Sequence, residues 1–196
     1  YEILGEVGRG AMAAVYRARD PVLDRAVALK TMFSSTLREA DARERFLREA
    51  RSVARLQHPN VITIFELGEV EGMPFIAMEF VDGLNLAAAV AKGRVASLRE
   101  RLDVVVQLCD GLAYAHRRGV IHRDVKPSNA IVGRDGTVKL VDFGIARFEG
   151  STFATSSGEL LGTPHYMAPE QFEGKPVDHR VDIWAVGVML YELVTG

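Results

Sequence analysis

Cysteine is nearly missing. Cys109 stands alone in 196 residues, so no internal disulfide framework can form, and such usage fits a reducing compartment. Placed in an apolar stretch, Cys109 reads as a small buried hydrophobe rather than a reactive thiol. Long apolar runs are lacking too. The longest, Ile183 to Tyr191, has nine residues against the about 20 that a bilayer helix needs, so no membrane segment is expected and the stretch reads as a buried helix. Charge of one sign is also lacking: 24 Lys and Arg face 26 Asp and Glu, a formal net charge of -2, which gives no electrostatic case for nucleic acid or an anionic membrane. The five histidines show no metal-ligand spacing, so no zinc site is expected. Neither an internal repeat nor a low-complexity segment is present. Tyr1 opens the chain without a starting methionine or an apolar leader, so the expectation is a cytoplasmic piece of a longer protein, with any membrane tether lying past Gly196.

What is there reads as globular, since a 48% hydrophobic and 26% charged composition can build a substantial core. Short β-prone runs at Tyr1 to Val7, Ala14 to Ala18 and Ala26 to Thr31 predict an antiparallel meander. The period then changes. Phe46, Leu47, Ala50, Val53, Ala54 and Leu56 recur at helical spacing within a predicted helix over Leu37 to Gln57, which His58-Pro59-Asn60 stops. Strands follow at Val61 to Leu67 and Pro74 to Val81, joined by a turn near Glu71-Gly72. Asp82-Gly83 marks a boundary, beyond which helices dominate: Leu86 to Ala91, Leu98 to Arg118 ending at Gly119, and Val181 to Gly196. Short strands near Ile131 and at Val138 to Val141 enclose a turn at Arg134-Asp135-Gly136. The Ser, Thr and Gly cluster from Gly150 to Gly162 reads as a functional loop.

The densest chemistry lies in His122-Arg123-Asp124-Val125-Lys126-Pro127-Ser128-Asn129 and, thirteen residues past the asparagine, in Asp142-Phe143-Gly144. Together these offer a carboxylate able to accept a hydroxyl proton, a lysine able to neutralise a phosphate, and an asparagine and second aspartate able to hold a hard cation. Upstream, Gly8-Arg9-Gly10 falls between two predicted strands, where glycine lets backbone approach phosphates closely. Lys30 ends the third strand, whose alternation sets Ala28 and Lys30 on one face. Taken singly, each has a plain structural explanation: hairpin punctuation, a solvated lysine, loop residues satisfying the backbone. Their order and spacing argue for a common purpose.

This motif set resembles that of the Hanks-type Ser/Thr protein kinases, over essentially all 196 residues. The resemblance implies an α+β, bilobal kinase-like fold: an N-terminal lobe over 1–81 with a five-stranded antiparallel sheet plus one helix, and a mainly helical C-terminal lobe over 82–196 lacking its final helices. It implies transfer of the ATP γ-phosphate to Ser/Thr hydroxyls of protein substrates, with Mg²⁺ or Mn²⁺ as cofactor. By the same resemblance Asp124 is the base or hydroxyl-orienting group, Lys126 the γ-phosphate contact, and Asn129 and Asp142 the metal ligands. Lys30 would bind the α- and β-phosphates and pair with Glu49. Val7, Gly8 and Gly10 would bind the cofactor, the glycines approaching its phosphates, Val15, Ala28 and Ile131 would sandwich adenine, Met78 would guard the back pocket, and Glu79 to Val81 would be the hinge whose backbone bonds the base. Val53, Ile64, His122 and Phe143 would stack as a packing column, Thr163 would bridge Asp124 and Lys126, and Asp182 would brace the catalytic-loop backbone. Ala13 replaces the third glycine of the phosphate loop but keeps its N–H. Lys126 two residues after Asp124, with Gly162-Thr163-Pro164 before Ala168-Pro169-Glu170, resembles the Ser/Thr class, and Arg48-Glu49-Ala50, Leu56-Gln57-His58-Pro59-Asn60 and Gly144-Ile145-Ala146-Arg147 resemble its bacterial branch.

Two other classes compete. A pseudokinase or nucleotide-binding scaffold would be expected to have lost the lysine, the base or the metal-binding aspartate, and all three are present. A small-molecule phosphotransferase is disfavoured by Ala168-Pro169-Glu170, which in the family belongs to a platform for protein substrates. The loop before that motif suggests a switch. Arg123, Arg147 and Arg45 fall at positions that could gather round a phosphate on Thr155, Ser156 or Ser157, and Glu159 could supply part of that charge permanently.

Overall fold

A computed structural model of the chain describes residues 1–10, 13–33, 46–47, 50–143 and 164–196. The chain divides into two compact units, one of Tyr1–Gln57 and Ile62–Val81, the other of His58–Val61 and Asp82–Gly196.

The first unit is a five-stranded antiparallel sheet of β1 (Glu2–Arg9), β2 (Ala13–Asp20), β3 (Arg25–Met32), β4 (Ile64–Val70) and β5 (Met73–Glu79), in the order β1-β2-β3-β5-β4. Central β3 buries Val27, Ala28, Leu29 and Met32, and Val27 and Leu29 meet Ala18 and Ala77 in a core against which Phe75 packs. Edge strand β1 is exposed at all eight positions; two register shifts and the charges of Glu2, Glu6 and Arg9 make it a poor template for further pairing. The β4–β5 hairpin closes through Glu71 and Gly72, both at positive φ, the backbone that a two-residue turn between right-twisted strands requires. Strand β4 starts three residues later than the sequence predicts. The reason lies in the second unit, where Val61 bridges Leu140 and the Asn60 carbonyl accepts the Leu140 N–H, so this segment is already committed. The expected helix over 37–57 is helical at 46–47 and 50–53 and gives way to a turn at 54–55; 34–45 and 48–49 lie outside the described residues.

In the second unit, β6 (Gly83–Asn85), β7 (Ala130–Gly133) and β8 (Val138–Leu140) form a small antiparallel sheet. Strand β6 is absent from the sequence reading. Its pairing needs Gly83, where a Cβ would stand 2.3 Å from the Val132 carbonyl oxygen. Helix α1 (Leu86–Ala91) starts at Asn85, whose side chain accepts the Ala88 N–H, and α2 (Leu98–His116) starts at a reciprocal Ser97/Glu100 capping box. Helix α2 ends two residues earlier than expected, and Gly119 takes the left-handed turn after it. Its inner face carries Val104, Val105, Leu108, Leu112 and Ala115. Cys109 lies one step off that face and is exposed, correcting the expectation that it is buried.

A short α3 (Pro169–Phe172) and the long α4 (Arg180–Thr195) complete the described unit. Helix α4 packs on α2, and Arg101 of α2 donates to the Leu193 carbonyl at 2.6 Å. It is buried on one face only: Val181, Ala185, Val186, Met189 and Leu193 face inward, whereas Ile183, Trp184, Tyr191 and Val194 are exposed. The fully buried helix expected from its apolar run is therefore not found. Among the described residues, no helix is long and apolar enough to cross a membrane.

Candidate active site

The second unit gathers most of the polar chemistry onto the segment after α2. His122 is fully buried, and its ring stacks on Phe143 with centroids 4.4 Å apart. Burial pushes its pKa below the ordinary 6.5, against the upward pull of Asp182, Asp124 and Asp142. The neutral ring then has one assignable tautomer. Nε2–H donates to the Val141 carbonyl at 3.0 Å, leaving Nδ1 to accept the Asp124 N–H at 3.3 Å. The packing histidine therefore also holds the backbone of the residue expected to act as base.

Arg123 sits at φ 64°, a conformation that costs a non-glycine residue about 1 kcal/mol or more and persists only where its surroundings enforce it. Its N–H donates to Asp182 Oδ1 at 2.7 Å, and its carbonyl accepts from Gln171 Nε2 at 3.0 Å. Asp182 Oδ2 accepts the His122 N–H at 2.8 Å and lies 2.7 Å from His116 Nε2. The brace expected of Asp182 is thus two amide hydrogen bonds to consecutive residues, with His116 behind it.

Asp124, Lys126 and Asn129 come together. Asp124 Oδ2 is 2.9 Å from Lys126 Nζ and accepts from Asn129 Nδ2 at 2.9 Å, while that same amide nitrogen also donates to the Asp124 carbonyl. The lysine and aspartate side chains are each about one-fifth exposed, so the pair can meet a ligand without being fully solvated. The Asn129 carbonyl accepts the Val141 N–H at 2.9 Å, which sets Asp142 on the adjoining stretch, itself at φ 56°. Ile131 lies on β7 opposite Asn85 and Lys139.

The donor set suits a hard cation. With Asn129 Nδ2 committed to Asp124, its Oδ1 is the atom left for a metal, and Asp142 adds a carboxylate on the same unit. Two such ligands match the chemistry of Mg²⁺ or Mn²⁺, ions that complete their coordination with water and phosphate oxygens. Among the described residues, no group of three or more His, Cys, Asp and Glu side chains could hold a metal by itself.

On the first unit, register pairs Gly8 with Val15, Val15 with Lys30, Lys30 with Ile76, and Ala28 with Met78. Val7 is exposed on β1, and the Gly10 N–H donates to the Ala13 carbonyl at 2.9 Å, closing the β1–β2 hairpin. Ala28 and Met78 are buried, and Lys30 is half-buried. The Glu79 N–H donates to the Thr63 carbonyl at 2.9 Å, so that amide is not a donor for a bound base; Val81, two residues on, is half-buried. Glu49, Arg45, Arg48, Arg147, Thr155, Ser156, Ser157, Glu159 and Thr163 lie outside the described residues.

Sequence reasoning missed Gln171 and the contact of His116 with Asp182. Gln171 occupies the third position of α3, and its Oε1 accepts the Ala168 N–H at 3.1 Å. Glutamine three residues after a helix-start position was the one available signal. Nearby, the Tyr166 hydroxyl donates to Glu192 Oε2 at 2.5 Å, and burial together with that carboxylate pushes the phenol above its usual pKa.

Residues 1–196 match the family model described as the protein kinase domain. Similar relatives include the probable serine/threonine-protein kinase PknB of Lactococcus lactis, 41% identical over 100% of this chain and 31% of that protein. Serine/threonine-protein kinase PrkC of Bacillus subtilis is 39% identical over 100% of this chain and 30% of its own length. For PknJ of Mycobacterium tuberculosis the corresponding values are 42%, 100% and 34%. The chain spans about a third of the length of these relatives. The crystal structure of the M. tuberculosis PknI kinase domain superposes with a TM-score of 0.79 at 33% identity, covering 97% of this chain and 70% of that one. A family model matched from end to end, relatives near 40% identity and a shared fold lead to one conclusion: the chain belongs to the protein kinase domain family.

Proposed function

We propose that the protein transfers the γ-phosphate of ATP to Ser or Thr hydroxyls of protein substrates. The observation that carries this reading is the joining of Asp124, Lys126 and Asn129 through one carboxylate oxygen on a backbone held by Asp182 and His122. In the reaction the acceptor hydroxyl oxygen forms a bond to the γ-phosphorus, the bond from that phosphorus to the β,γ-bridging oxygen breaks, and ADP leaves. Asp124 orients the hydroxyl and takes its proton, while Lys126 offsets charge on the transferring group. Lys30 holds the α- and β-phosphates, with Glu49 as its partner. Val7, Gly8, Gly10, Val15, Ala28, Met78, Glu79, Val81 and Ile131 serve nucleotide binding, and Asn129 and Asp142 hold Mg²⁺ or Mn²⁺. When bound, that cation neutralises phosphate charge. Preorganised charge rather than a strong base supplies most of such a rate enhancement, which suits an Asp124 carboxylate held by the Asn129 amide and paired with Lys126.

Two finer readings belong with this proposal. A lone cysteine and a near-balanced charge favour a cytoplasmic catalytic domain acting on proteins rather than on nucleic acid. Autophosphorylation at Thr155 or Ser157 would raise activity above a basal rate that Glu159 partly sustains.

The test is incubation of the full-length protein with radiolabelled ATP, Mg²⁺ and dephosphorylated casein, beside Asp124→Asn, followed by phosphoamino-acid analysis. Phosphoserine and phosphothreonine are expected from the wild type and not from the variant. Equal incorporation by both would defeat the assignment. Phosphatase treatment, a Thr155/Ser156/Ser157 triple alanine variant and Glu159→Ala test the switch, which is absent if none of the three alters activity.

A further inference from the structure

We propose that Gln171 is a positioning residue for the transfer reaction: its carboxamide clamps the peptide between Arg123 and Asp124 from the Ala168-Pro169-Glu170 segment. This inference rests on the kinase reading above.

The peptide joining Arg123 to Asp124 has two polar ends, and both are held by side chains. Its carbonyl oxygen accepts from Gln171 Nε2 at 3.0 Å, and its N–H donates to His122 Nδ1 at 3.3 Å. Immediately before it, the Arg123 N–H is fixed by Asp182 at 2.7 Å. Arg123 is in the left-handed region at φ 64°, so this short stretch would relax by rotating the peptide if its restraints were weakened. Rotation there swings the Cα–Cβ bond of Asp124 and breaks the common geometry with Lys126 and Asn129. The 3.3 Å contact to His122 is the longer of the two restraints on that peptide, which leaves Gln171 as its firmer hold.

The orientation of the Gln171 amide follows from its neighbours. Ala168 presents an N–H and Arg123 a carbonyl, so Oε1 must face the first and Nε2 the second; the flipped amide would set donor against donor and acceptor against acceptor. The link therefore runs 48 residues along the chain, from the segment after the 144–163 stretch to the residue preceding Asp124. A shift of 168–171 is transmitted to the catalytic carboxylate through one side chain.

A purely structural role is the competing explanation, because Gln171 also completes the cap of α3. The two roles separate by chemistry. Glutamate at the same position accepts the Ala168 N–H as well as glutamine does, but its carboxylate cannot donate to the Arg123 carbonyl. The decisive experiment compares wild type, Gln171→Glu and Gln171→Met in the full-length protein, measuring thermal midpoint, kcat with casein and KM for ATP. If Gln171 positions Asp124, Gln171→Glu, which keeps the cap of α3 but sets a carboxylate oxygen against the Arg123 carbonyl, keeps the wild-type KM for ATP and loses less of the midpoint than Gln171→Met, while kcat falls about tenfold or more in both. Wild-type kcat in Gln171→Glu, or kcat that merely follows the thermal midpoint across the two variants, overturns the proposal. So does loss of the folded state in both, since Gln171 would then hold the domain rather than the loop. An inactive wild type would instead refute the kinase reading.

Discussion

Asp182 accepts the backbone N–H groups of both His122 and Arg123, at 2.8 and 2.7 Å, from a position 60 and 59 residues further along the chain. The carboxylate is almost fully buried, and the two donors belong to a segment with no regular structure of its own to satisfy them. One side chain on α4 thus replaces the ladder hydrogen bonds this segment lacks. Replacing it strands two amides, one of them on a residue already at positive φ. Asp182→Ala is expected to cost about 3 kcal/mol in urea denaturation and to abolish measurable turnover. Asp182→Asn keeps one acceptor and should fall between the two. A variant as stable as wild type would show that water or another group satisfies these amides.

Lys30 and Asp142 give a second pair of expectations, separable by what each loses. On the roles proposed for them, Lys30→Met would remove a phosphate contact from the first unit, and Asp142→Asn would remove a cation ligand from the second. Each should lower transfer by about 10²-fold or more, with a smaller loss in ATP binding, because the lost interactions act most strongly on charge developing in the reaction. Near-normal casein phosphorylation by either variant would mean that its role is misassigned.

Legibility from sequence varied with how local each determinant is. The five long strands follow from alternation and turn residues that act within a few positions, and the structure shows them slightly longer or shifted. Strand β6 has three residues, Gly83, Leu84 and Asn85, too few to display a period, and its existence depends on the close approach of Gly83 to the Val132 carbonyl. Cys109 reads as buried because its neighbours are apolar, yet the phase of α2 decides, and the inward set passes from Val105 to Leu108 and on to Leu112. The carboxylates and the lysine near Asp124 were legible as a motif. Gln171 was not, because its meaning lies in a carbonyl 48 residues away.

The exposed side of α4 carries a separate consequence. Ile183 (58% exposed), Trp184 (48%), Tyr191 (71%) and Val194 (50%) lie on the side of the helix away from its buried residues. Apolar area concentrated in this way favours association. Residues 1–196 prepared alone should elute as oligomers or precipitate, and Trp184→Glu with Tyr191→Lys should shift them toward monomer in light scattering. A monodisperse wild-type preparation would show that this face is tolerated in water.

The last expectation is a pH dependence of stability from His122. Its burial outweighs the pull of three nearby carboxylates, so the folded imidazole has a pKa below the 6.5 of an ordinary histidine. Above 6.5 both folded and unfolded states keep it neutral, and no proton is exchanged on unfolding. Below 6.5 the unfolded chain takes up a proton that the folded one refuses, so stability falls as the pH falls until the depressed folded value is reached. The urea midpoint of wild type should therefore drop between pH 7 and pH 5 more steeply than that of His122→Gln. The other four histidines are common to both proteins and largely cancel in the difference. Protonation below the folded pKa would also remove the Nδ1 acceptor of the Asp124 amide, so turnover should decline on the acid side even while the protein stays folded. Parallel slopes for the two proteins would mean that the folded His122 takes up its proton as readily as the unfolded chain does, and a shallower slope for wild type that it is already charged in the folded state.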